Sequence, residues 1–136
     1  MIHPFRILIS DRNRHVREFL RREFRLAGYR VQVARDSREV LMMIDAQEPP
    51  DLVVLDLDMP CGDALELVER LHAREQPLPV VVHAFLPEPA ERRALDKAAA
   101  LVEKREDTAS LKTAVLEVLK RCYPDFFDQD RDVKSD

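Results

Sequence analysis

The stretch Asp51-Leu-Val-Val-Leu-Asp-Leu-Asp-Met-Pro60 ends a four-residue apolar run on a carboxylate, Asp56, and closes four residues later with a helix-breaking proline. A run as short and branched as Leu52, Val53, Val54, Leu55 reads as a strand buried on both faces, which the centre of a parallel sheet requires. Asp56 then sits at the carboxyl end of that strand. In open parallel sheets this edge binds ligands, because the loops leaving the strands diverge there and open a crevice.

Working outward, five short apolar runs alternate with five helical patterns. Arg6 to Ser10 reads as the first strand, and Arg14 to Ala27 as a helix with Val16, Phe19, Leu20 and Phe24 on one face and Arg17, Arg21 and Arg25 elsewhere. Gly28 is placed to stop it. Tyr29 to Ala34 is the second strand. Asp36-Ser-Arg-Glu39 resembles a capping box that opens a helix through about Gln47, ended by Pro49-Pro50. After the strand Leu52 to Leu55, a helix is expected over Asp63 to Ala73, a strand over Val80 to His83, a helix over Ala90 to Ala99, a weak strand at Leu101-Val102, and a last helix carrying Leu111, Val115, Val118, Leu119 and Cys122. This (βα)5 alternation implies an α/β fold: a doubly wound, five-stranded parallel sheet in the order 2-1-3-4-5, flavodoxin-like, with right-handed crossovers covering both faces. Its first and third strands end at Asp11 and Asp56, at the topological switch point. Two carboxylates meeting there suit a hard divalent cation such as Mg2+, which takes oxygen ligands, needs only one or two carboxylates and keeps waters.

Composition narrows the class. The 136 residues are 46% hydrophobic and 35% charged, enough for one core of ordinary size. A net charge of -4 with dispersed basic residues gives no electrostatic grip on nucleic acid or an anionic membrane. No apolar run approaches a membrane span, and Met-Ile-His-Pro-Phe-Arg lacks the regions of a signal peptide, so a cytoplasmic location is expected. Cys61 and Cys122 form neither a disulfide framework nor a Cys-x-x-Cys metal site. Carboxylates near Cys61 disfavour its thiolate and argue against a redox role.

The chain resembles the receiver domain of bacterial two-component response regulators over roughly residues 5 to 122. Ile7-Leu-Ile-Ser-Asp11 is similar to the family's first acidic motif, Asp56-Leu-Asp-Met-Pro60 to its phosphoacceptor strand, Glu103-Lys104 to its lysine loop, and Met59-Pro-Cys-Gly-Asp63-Ala-Leu-Glu to Met-Pro-x-x-Asp-Gly-Leu-Glu. The resemblance implies that Asp56 accepts a phosphoryl group from a histidine kinase or phosphotransfer protein, that Lys104 pairs with the product, and that Mg2+ is held by Asp11, Asp56 and the main-chain carbonyl of Asp58. It also implies at most self-phosphorylation and self-dephosphorylation, without independent turnover. The downstream protein target would dock on the face formed by helix four, strand five and helix five; whether that face also pairs into a homodimer is left open. Residues 1 to 122 are expected to form the receiver domain. Residues 123 to 136 are read as an acidic tail without an output domain, frayed or with Tyr123, Phe126 and Phe127 docked beside helix five.

Four positions depart from the family pattern. Arg12 replaces the second acid that usually contacts the metal, Ala84 replaces a hydroxyl residue at the end of strand four, Arg105 replaces the proline after the lysine, and Leu101 takes the place of an aromatic switch. Arg12 is either a solvent-facing loop residue or a partial stand-in for the cation that lowers Mg2+ affinity, since a guanidinium supplies fixed charge and paired donors. Asp11 suits either a metal ligand or the N-cap of helix one. Lys104 rises above an ordinary exposed lysine only through its register, and His83 is expected as a packed, hydrogen-bonded core residue. Two functions follow: a single-domain, phosphate-accepting regulator, or a pseudo-receiver that binds partners independently of phosphorylation. An unrelated flavin or phosphatase enzyme is disfavoured, because with only Gly28 and Gly62 the chain has no phosphate-cradling glycine loop.

Overall fold

The computed structural model describes residues 5–59, 64–85 and 87–127. Five strands, β1 (Arg6–Ser10), β2 (Arg30–Ala34), β3 (Leu52–Asp56), β4 (Val80–Ala84) and β5 (Ala100–Glu103), alternate with α1 (Arg14–Leu26), α2 (Ser37–Ile44), α3 (Ala64–His72), α4 (Pro89–Ala94) and α5 (Ala109–Cys122). All strand pairs are parallel, in the order β2-β1-β3-β4-β5. The α/β class and the strand order expected from the alternation are therefore observed.

Alternation along each strand divides the core into two layers. Leu8, Val53, Leu55, Val80 and Val82 face Val40 and Ile44 of α2, Leu67, Val68 and Leu71 of α3, and Leu95 after α4. Ile7, Ile9, Leu52, Val54, Val81 and Val102 face Leu20 and Phe24 of α1 and Leu111, Val115, Val118 and Leu119 of α5. Every residue of β3 and β4 is buried, as continuous apolar runs demand. Among the described residues, no helix is long and apolar enough to cross a membrane.

The differences from expectation lie at element ends. Helix α2 stops at Ile44 rather than Gln47, because Ala46 N–H turns back to Met43 O and Pro49-Pro50 force an extended approach to β3. The capping box there is shifted: Asp36 accepts from Glu39 N–H, while Glu39 reaches the N–H of Arg35 rather than of Asp36. Helix α4 spans six residues instead of reaching Ala99, since Ala99 N–H donates to Val80 O at 2.8 Å and brings the chain into the sheet early. That leaves β5 four residues long rather than two. Asp63, Cys61 and the intervening part of the Met-Pro motif lie outside the described residues, as do residues 128–136.

Candidate functional site

The carboxyl ends of β1, β3 and β5 converge. Asp11 follows β1, Asp56 closes β3, and Lys104 follows β5; both carboxylates are 1% exposed. Lys104 N–H donates to Ala84 O at 2.8 Å, extending the β4–β5 ladder by one residue and aiming the lysine side chain inward. Its Nζ lies 3.1 Å from Asp11 Oδ2 and 3.2 Å from Asp56 Oδ1. Two buried acids sharing one ammonium are tolerable only because the remaining lone pairs are also met. Asp11 Oδ1 accepts from Asn13 N–H at 2.8 Å, Asp56 Oδ1 from Asp58 N–H at 3.1 Å, and Asp56 Oδ2 from Arg12 N–H at 3.3 Å.

Burial raises the Asp11 pKa and the Asp56 charge adds to it, against the pull of Asn13 N–H and Lys104. Asp11 is not the helix cap: Asn13 Oδ1 accepts from the N–H groups of His15 and Val16, which frees Asp11 for the pocket. His83 is buried, as expected, but its Nδ1 finds no hydrogen-bond partner among the described residues. Burial, with the nearby Lys104 charge, lowers its pKa to about 4.

The departures take definite places. Ala84 is buried and offers only a methyl group beside the acids. The Arg12 side chain is 53% exposed, with a guanidinium nitrogen 3.9 Å from Asp58 Oδ2. Arg105 is exposed and pairs with Glu103 at 3.5 Å. Leu101 is exposed on β5. Two further residues escaped the sequence reading. Arg17, placed off the apolar face of its helix, is buried and donates to the carbonyl oxygens of Asp11 at 2.8 Å and Arg12 at 3.3 Å, pinning the loop that carries the first acid. Phe85 is exposed, and its ring centroid lies 5.3 Å from Lys104 Nζ, within cation–π range. Its position directly after Ala84 was the available signal. Beside the site opens a depression of about 510 Å³ whose lining includes Val16, Phe19, His83, Phe85, Lys104 and Leu111.

Among the described residues no three His, Cys, Asp or Glu side chains gather as a metal site. Asp11 and Asp56 alone form a carboxylate pair, which fits a loosely held, largely hydrated Mg2+.

Residues 7–116 match the family model of the response regulator receiver domain. The chain belongs to that family. Receiver domains act in two-component signalling and generally bind Mg2+. The chain is 47% identical over 79 residues to response regulator MprA of Mycolicibacterium vanbaalenii, covering 58% of this chain and 34% of that protein, so it spans about a third of the curated relative. Among solved structures, response regulator TrrA from Thermotoga maritima, in complex with Mg(2+)-BeF, superposes with a TM-score of 0.75 at 26% identity over 85% of this chain and 99% of that one. A receiver domain protein from Methanospirillum hungatei gives a TM-score of 0.82 at 22% identity, over 90% and 99% of the two chains, and so shares the fold.

Proposed function

We propose that this receiver accepts a phosphoryl group at Asp56 from a phosphohistidine of a histidine kinase or phosphotransfer protein, and signals through protein contacts. The observation that carries the reading is the single ammonium of Lys104 shared between the buried carboxylates of Asp11 and Asp56. In the reaction an Asp56 oxygen attacks phosphorus, the P–N bond breaks, and the imidazole nitrogen leaves with the electron pair and takes up a proton. A carboxylate approaches a phosphoryl dianion poorly, so the site must hold it in line and cancel charge. Lys104 does the second directly, and the N–H groups of Arg12 and Asp58 fix the carboxylate orientation. Mg2+, when bound by Asp11, Asp56 and the main-chain carbonyl of Asp58, supplies further neutralisation of the phosphoryl oxygens.

Ala84 cannot donate a hydrogen bond to a phosphoryl oxygen, which removes about 1.5–3 kcal/mol of the coupling between phosphate and shape. That favours a second reading, a partner-binding module indifferent to phosphorylation, in which the aliphatic Leu101 gives no switch. The target face is α4, β5 and α5 in either case. Intact mass measurement after incubation with acetyl phosphate and MgCl2 separates the two. A single phosphate-sized gain in the native chain, absent in Asp56→Asn, is expected; no gain in the native chain selects the second reading.

A further inference from the structure

The two main-chain donors to Asp56 come from residues whose side chains meet each other. Arg12 N–H holds Asp56 Oδ2 and Asp58 N–H holds Asp56 Oδ1, while the Arg12 guanidinium and the Asp58 carboxylate approach to 3.9 Å. The pair is thus tethered at both ends to the carboxylate it overlooks. Both side chains are more than half exposed, so the pair stands at the mouth of the site, whereas Asp11, Asp56 and the Lys104 ammonium lie beneath it.

We infer that Arg12, held by Asp58, occupies the approach a divalent cation would take, so that this site balances its carboxylates with two protein cations and takes Mg2+ weakly. The inference rests on the Asp56 site proposed above. Two effects act together. A guanidinium at about 5 Å opposes a divalent ion by on the order of tenfold in affinity, even at the dielectric of water. Arg12 also engages the Asp58 carboxylate, an exposed acid that is not bound to Lys104 and is therefore an oxygen donor available to an incoming ion or its waters.

Isothermal titration of MgCl2 into the whole chain tests this, using native protein, Arg12→Ala, Arg12→Asp, Asp58→Asn and the Arg12→Ala, Asp58→Asn double variant. The exposure of both positions lets every variant fold. Native protein should bind Mg2+ at millimolar concentration or more weakly. Arg12→Ala should bind at least about tenfold more tightly (about 1.4 kcal/mol) and Arg12→Asp more tightly still. The gain from Arg12→Ala should shrink in the Asp58→Asn background, because the freed carboxylate is then missing. The Mg2+-induced shift of the unfolding midpoint gives the same ranking independently of heat. Native binding as tight as that of Arg12→Asp overturns the inference, and so does an equal Arg12→Ala gain in both backgrounds. The acetyl phosphate assay reports separately on Asp56, so a chain that is phosphorylated yet binds Mg2+ tightly sinks only the role of Arg12.

Discussion

Arg17 shows how a single buried cation shapes a site it does not enter. The carbonyls of Asp11 and Arg12 precede the capped start of α1, and the Arg17 guanidinium, one turn into the helix, reaches back to both. Arg17→Met keeps the apolar stem but drops these charged hydrogen bonds. It should cost about 1.5–3 kcal/mol in urea unfolding and slow phosphate uptake, and a loss below about 0.5 kcal/mol would show the bonds to be incidental. His83 supplies a pH signature. Its pKa is about 4 in the folded chain against an ordinary histidine value of 6.5, so below pH 6.5 the unfolded chain binds a proton that the folded chain refuses. The native state therefore loses stability as pH falls from 6.5 towards 4, by about 2 kcal/mol at pH 5. Asp11 acts oppositely: its raised pKa burdens folding at neutral pH and relaxes as pH falls. The difference between native protein and His83→Gln isolates the histidine, and equal pH slopes for the two would refute the assignment. Asp11 and Asp56 were legible in the sequence because strand ends can be located from apolar runs, whereas Lys104 follows a weak fifth strand and stood out only through its register in the receiver pattern. Arg17 was not, because helical periodicity alone treats an arginine as solvent-facing and says nothing of bare carbonyls in the preceding loop.

Among the elements, β3 and β4 followed their sequence patterns most closely, since both are buried throughout and open with unbroken aliphatic runs at residues 52–55 and 80–82, the polar Asp56 and His83 coming only near their carboxyl ends. Helix α4 was misjudged for a physical reason. Its alanine-rich continuation favours helix locally, yet Leu95 is drawn into the core and Ala99 into the β4 ladder, and tertiary bonding outweighs propensity. The end of α1 was readable because Gly28 adopts φ +102, a region that L side chains rarely occupy. No atom lies within 4 Å of where a Cβ would sit, so Gly28→Ala should cost only the backbone strain, about 1–2 kcal/mol by urea unfolding, with Gly28→Asn milder. An unchanged midpoint in Gly28→Ala would mean that the turn relaxes freely.

At the scale of the whole molecule, the last described residues belong to the packed structure. Phe5, 1% exposed, lies 5.6 Å from the ring of Tyr123, 5.6 Å from Phe126 and 5.8 Å from Phe127, centroid to centroid. The Tyr123 hydroxyl donates to Asp51 O at 2.7 Å, and burial pushes its pKa up to about 12, so it remains a donor throughout the neutral range. Tyr123→Phe should lose about 1 kcal/mol. Removing residues from Tyr123 onward should lose at least about 3 kcal/mol, because Phe5 also becomes wet; a truncated chain as stable as the native one would show this packing to be superficial. These aromatics gather where β1 and β3 begin, whereas Asp11 and Asp56 lie where those strands finish, a strand length of roughly 17 Å away. A fluorophore or surface-immobilisation tether grafted after Phe127 would consequently emerge at the far pole of the molecule, leaving the acidic pocket unobstructed for phosphodonor assays on a biosensor chip.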